Sequence, residues 1–190
     1  MKKIKIFLAS SNELKYEREQ FEILIYQKCK FWFDKGVFLH LDIWEDLSAR
    51  MSLTGSQSEY NKFVKDADLF VFLAYSKVGM YTEEEFEHAF GQFQSTKKPF
   101  IFTYFKTPPE NAEDSLAHFK QKLNELKHFY ANFNDINDLW NQFNKELDRL
   151  EADGFTENKL PEKNIDGGRN YNQTADKIYN FDKIVTANFQ

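Results

Sequence analysis

The sequence predicts an α/β domain built on a parallel sheet, and three observations carry that prediction. Leu69–Ala74 is a run of six apolar or aromatic residues without polar alternation, too short for a covering helix, so it reads as a central parallel strand buried on both faces. Segments of alternating or continuous apolar character recur around it, separated by stretches with helical spacing, which is the pattern of strands joined by crossover helices. Finally, 42% of the 190 residues are apolar, and 21 are phenylalanine, enough for one sizeable core between a sheet and its helices.

The elements follow in order. Ile4, Ile6 and Leu8 alternate with Lys3, Lys5 and Phe7, giving a first strand that ends at Ser10. Ser10-Ser-Asn-Glu13 has the spacing of a capping box, in which a hydroxyl and a carboxylate satisfy the free donors of a helix start. Leu14, Phe21, Leu24, Ile25, Lys28 and Trp32 recur at helical intervals, with Lys15, Glu19, Glu22 and Lys30 on the wetter side, until Gly36 ends the helix. Residues 37–44 form the second strand. The polar stretch 45–58 is long enough to be a functional loop, and 59–65 reads as a short helix.

The central strand passes through Ser76 into an acidic helix over 82–93. Residues 100–105 form the fourth strand, stopped by the prolines at 108 and 109. A covering helix spans 112–127 on Leu116, Phe119, Leu123 and Leu126, a short last strand lies within 129–133, and a helix over 136–151 closes the domain. With right-handed crossovers this order predicts a flavodoxin-like, five-stranded parallel sheet flanked by helices. The domain is expected to span 1–151. A polar linker with Pro161, Gly167 and Gly168 covers 152–171, and 172–190 is a short tail or docking segment around Ile178, Phe181 and Ile184.

Charge and cysteine usage narrow the function classes. A net charge of −5, without a cluster of lysine or arginine, argues against a direct nucleic-acid partner, whose phosphates need concentrated positive charge. Cys29 is the one cysteine, so an intrachain disulfide is excluded, and His40, His88, His118 and His128 lack metal spacing, so no metal is expected. No apolar run approaches a membrane span and the N-terminus lacks a secretory pattern, so the expectation is a cytoplasmic protein with no membrane partner.

The candidate chemistry lies where the central strand ends, since open α/β sheets bind ligands at the carboxyl ends of their strands. Ser76 marks that end, and Tyr81 and Glu83, Glu84 and Glu85 follow it. Tyr81 and Glu85 are one helical turn apart on a common face, whereas Glu84 projects about a quarter turn away. Each candidate also has a plainer role. Glutamates in a first turn complement the helix dipole, Ser10 and Ser11 suit caps, Trp44 at a strand end suits the edge of a core, and Arg18 beside Glu17 suits a surface ion pair.

Residues 3–151 resemble Toll/interleukin-1 receptor (TIR) domains, especially the bacterial domains fused to antiviral effector modules, as in TIR-STING-like proteins. The resemblance rests on the first strand and helix from Ile6 to Arg18, on Asp42 to Asp46 at the second strand's end, and on Ser76, Tyr81 and Glu85. In TIR domains that cleave NAD+, the catalytic glutamate follows an aromatic residue by four positions and precedes an apolar one; Tyr81, Glu85 and Phe86 fit, with tyrosine where many relatives have tryptophan. The resemblance therefore implies Glu85 as the catalytic residue, with Glu84 as runner-up. It also implies a loop after Trp44 that gates the pocket and joins domains to one another.

The chemistry is consistent with a lone carboxylate. Cleavage of the nicotinamide–ribose bond expels a neutral base from a pyridinium, so no acid is needed for the leaving group. An ionised glutamate holds the ribose hydroxyls and stabilises the cation that forms, an effect strengthened where water is excluded. Ser10 and Ser11 offer helix-terminal donors to a phosphate, Trp44 and Tyr81 pack on nicotinamide or ribose, and Ser76 binds a hydroxyl or amide.

The expected function is an NAD+ glycohydrolase or cyclase, activated by self-assembly as an anti-phage defence effector. NAD+ is its substrate rather than a cofactor, and its partners are other TIR domains and a sensor or effector module joined through the tail. Two alternatives stay open: a non-catalytic TIR scaffold signalling through homotypic contacts, and a nucleoside deoxyribosyltransferase-like enzyme with the carboxylate as nucleophile.

Overall fold

The computed structural model describes residues 1–43, 62–107 and 112–157. The chain divides into two units, Met1–Asn158 and Lys159–Gln190. The expected docking segment 172–190 lies outside the described residues, as do most of the linker, Trp44 and the loop 45–58.

The described residues form strands and helices in the order β1 (Lys2–Ser10), α1 (Lys15–Phe33), β2 (Val37–Ile43), β3 (Leu69–Ala74), α2 (Met80–Thr96), β4 (Phe100–Lys106), α3 (Asp114–Glu125), β5 (Ala131–Phe133) and α4 (Ile136–Ala152). Residues 62–66 are also helical, within the short helix expected there. All strand pairs are parallel and the sheet order is β2-β1-β3-β4-β5, a flavodoxin-like α/β arrangement. The order reverses direction between β1 and β3, so the carboxyl ends of those two strands frame the crevice where such sheets bind ligands.

The sheet has a core on each face. Ile4, Ile6 and Leu8 of β1 and Leu69, Val71 and Leu73 of β3 face α1 and α4, where Phe21 and Phe143 meet with ring centroids 5.2 Å apart. Phe7, Phe70 and Phe72 face the other way, onto Phe86 of α2 and Phe119 of α3. Phe72 stacks on Phe119 at 4.7 Å and meets Phe86 edge-on at 5.9 Å. Fully burying one such ring stabilises the fold by roughly 2–3 kcal/mol, so packing explains these buried phenylalanines, whereas Phe31, Phe33 and Phe129 are exposed. β3 is buried along its whole length, as its apolar run predicts. In β1 the expected alternation gives way to continuous burial from Ile6 to Ser10, because helices cover both faces there.

Helix boundaries have local causes. After α1 the chain turns at Gly36 in a left-handed conformation, φ +74°, where its N–H bonds the Phe33 carbonyl at 2.9 Å. At the start of α4 the Asp135 carboxylate accepts from the backbone N–H of Asn137 at 2.8 Å and of Asp138 at 3.0 Å. Asp135→Ala is expected to cost about 1 kcal/mol, read as a lower denaturant midpoint at unchanged slope; an unchanged midpoint would show that water caps the helix equally well.

The capping box expected at Ser10–Glu13 does not form. Ser10 is the last residue of β1, a 3-10 turn over Asn12–Leu14 precedes α1, and neither turn nor helix has a side-chain cap. Both members of the box are engaged elsewhere: the Ser10 hydroxyl accepts from Arg18, and the Glu13 carboxylate from Ser76. At the other end of the body, packing continues past α4, where Phe155 meets Phe100 edge-on at 5.6 Å.

Candidate functional site

α2 begins at Met80, two residues earlier than expected, with Gly79 in extended conformation before it. Its inward stripe is Thr82, Glu85, Phe86 and Ala89. Phe86 anchors the helix to Phe72 and Phe119, and Glu85, 100° round the helix from Phe86, is itself buried, with 8% of its surface exposed.

The three consecutive glutamates have different surroundings. Glu83 accepts a 2.8 Å hydrogen bond from Lys122 of α3, which also bonds Glu87. Glu84 lies on the wetter side, 3.6 Å from Nε2 of His88 one turn on. Glu85 makes no hydrogen bond or ion pair with a described residue. Burial, and secondarily the neighbouring Glu84 carboxylate, pushes its carboxyl up to about 7. A buried carboxyl with no cation beside it holds its proton near neutral pH and gives it up when a positive charge arrives.

The other candidates are distributed around the same end of the sheet. Tyr81 is one turn before Glu85 but 64% exposed. Ser76 follows β3 by two residues and donates its hydroxyl hydrogen to Glu13. Ser10 shares the β1 face of Ile4, Ile6 and Leu8, beneath α1, so Ser10 and Glu85 belong to opposite faces of the sheet at its carboxyl end. Trp44 lies outside the described residues.

Two readings of these residues need correction. The Ser11 N–H is not open to a phosphate, because it donates to the Leu73 carbonyl at 3.2 Å and so extends the sheet rather than starting a helix. Arg18 is not on the surface. It is 2% exposed, and its Nη1 donates to Ser10 Oγ at 2.9 Å and to the Ser11 carbonyl at 2.8 Å. The hydroxyl of Ser11 is itself buried without a hydrogen-bond partner among the described residues.

A polar group missed from the sequence lies on the α1 side. Glu17, also buried, pairs at 2.6 Å with Lys106, the last residue of β4, and the Lys106 ammonium sits 5.1 Å from the Tyr75 ring centroid. The signal was present: Arg18 falls on the stripe 18, 21, 25, 29, 32 that forms the buried face of α1.

Among the described residues no three His, Cys, Asp or Glu side chains converge as a metal site would require, and no helix is long and apolar enough to cross a membrane. Three of the histidines have local partners: His88 lies beside Glu84, His40 lies 3.1 Å from Asp42, and Nε2 of His128 lies 3.0 Å from the Thr103 hydroxyl. A groove of about 420 Å³ between β4, β5 and α4, lined in part by Tyr104, Tyr130 and Arg149, contains none of the candidate residues.

No protein-family profile matches the chain, and no curated protein sequence gives a significant match.

Proposed function

We propose that the chain is an NAD+ glycohydrolase or cyclase of the TIR type, with Glu85 as the catalytic carboxylate and self-assembly as its activating step in bacterial antiviral defence. One observation carries this reading. Of the three glutamates that open α2, Glu85 alone is buried and unpaired among described residues, on the helix that follows the central strand. A site in which one carboxylate has no partner and no cation beside it among the described residues suits a substrate that brings its own positive charge. The pyridinium of NAD+ does so, and its approach favours the ionised form of Glu85. As the glycosidic bond lengthens, the charge moves onto the ribose, and the carboxylate stabilises it there. A water molecule then attacks to give ADP-ribose, or an internal base attacks to give a cyclic product.

The test is to incubate the concentrated full chain with NAD+ and follow nicotinamide by chromatography, with light scattering to report assembly. Release that rises with assembly is expected. No release from assembled protein would remove the catalytic reading and favour a homotypic scaffold, for which the exposed Met80 and Tyr81 at the start of α2 offer a contact surface. A covalent sugar adduct on Glu85 would instead indicate a deoxyribosyltransferase-like enzyme.

A further inference from the structure

The 3-10 turn before α1 and the first turn of α1 reach three strands of the sheet from three side chains. Glu13 accepts from Ser76, just beyond β3; Glu17 pairs with Lys106, which ends β4; and Arg18 donates to Ser10, which ends β1. Lys106 also lies over the ring of Tyr75, so the two residues that leave β3 are held from the α1 side through both Tyr75 and Ser76. From the other side, the Ser76 carbonyl accepts from Glu113 N–H at 2.8 Å, and Val78 N–H donates to the Ser115 hydroxyl at 3.3 Å. The segment from Tyr75 to Gly79 is thus bridged between α1 and the start of α3, and α2 begins at its end.

The pair is partly buried, the Glu17 side chain 7% exposed and that of Lys106 27%; such a pair is a poor source of stability, because desolvation, chiefly of Glu17, offsets the attraction, and apolar replacement of inward-facing pairs is often neutral or stabilising. Its use lies in geometry. We infer that the Glu17–Lys106 pair is a positioning device, which locks the Tyr75–Gly79 connection against α1 and thereby sets the placement of α2 and Glu85. The inference rests on the proposed reading of Glu85 for its catalytic consequence, but not for its structural one. Neither Glu17 nor Lys106 is a substrate contact in this scheme.

The experiment compares the full-length parent with Lys106→Met, Lys106→Arg and the double variant Glu17→Met with Lys106→Met. Lys106→Met alone leaves a buried carboxylate unpaired and is expected to melt lower. The double variant restores an apolar contact and is expected to melt close to the parent, yet to show faster hydrogen exchange at Ser76–Gly79 with exchange within β3 unchanged. Its turnover of NAD+ is expected to fall roughly tenfold or more at similar KM, since even a 1 Å misplacement costs about a hundredfold, and Lys106→Arg is expected to retain turnover. Parent-like exchange and turnover in the double variant would overturn the inference, as would faster exchange with unchanged turnover. Absence of nicotinamide release from every sample, the parent included, would refute the NAD+ reading and with it the catalytic consequence, while the exchange comparison would still decide whether the clamp exists.

Discussion

Glu85→Ala is expected to lower nicotinamide release by roughly 100- to 1,000-fold, the usual effect of removing one preorganised electrostatic group from a transition state. Glu84→Ala is expected to leave release near the parent rate. The two positions are adjacent in sequence, so the contrast arises from their environments. Glu84 is half-exposed beside His88, where water screens its charge, whereas Glu85 is buried on the inward stripe of α2. Initial rates on assembled protein at saturating NAD+ provide the measurement. Equal losses in the two variants, with assembly intact, would remove Glu85 from the unique role assigned to it.

The second large effect concerns pH. The Glu85 carboxyl titrates at about 7 in the folded protein, against an ordinary value of 4.5 that the unfolded chain retains. Below pH 4.5 both states hold the proton. Between 4.5 and 7 the folded state keeps a proton that the unfolded state has released, so unfolding releases it and rising pH favours unfolding. Glu85 therefore contributes stability that is fully present below 4.5 and is lost as pH rises through 7. At about 1.4 kcal/mol per pH unit the loss is on the order of 3 kcal/mol, which for a body of this size corresponds to roughly 6–12 °C in melting temperature.

The observable is the difference in melting temperature between Glu85→Gln and the parent, since glutamine is uncharged throughout. That difference is expected to grow in favour of glutamine from pH 4.5 to 7.5 and then level off. A constant difference would place the titration of Glu85 elsewhere. Catalysis should run the opposite way over the same window. A carboxylate that must be ionised to stabilise a cation gives kcat/KM that rises with pH through about 7 in the free protein, so the parent should gain activity as it loses stability.

Much of the fold was legible because its signals are local. A strand covered on both faces needs apolar side chains at every position, which is why Leu69–Ala74 could be recognised as central without knowledge of its neighbours. α4 was legible because Leu139, Phe143 and Leu147 repeat every four residues, as one buried helical face requires. The capping box at Ser10–Glu13 misled because its residue types suit two purposes. A hydroxyl and a carboxylate three residues apart can satisfy a helix start, but here each bonds a side chain eight or more residues away. Arg18 misled for the opposite reason, since a guanidinium beside a glutamate suggests water until its position on the buried stripe of α1 is given weight.

The candidate site divides along the same line. The sequence by itself determined that a tyrosine and a glutamate stand one turn apart on a helix following the central strand, because both the strand and the helical spacing are set by neighbours in the chain. It also determined that the sheet is parallel, since each apolar segment is followed by a connection long enough to cross back, most of them helical. Only the tertiary structure decided which of three consecutive glutamates loses its solvent, because burial depends on what packs around α2 in space. Only it joined Glu17 to Lys106 across 89 positions of chain, because an ion pair between distant residues has no periodicity that a linear sequence can display.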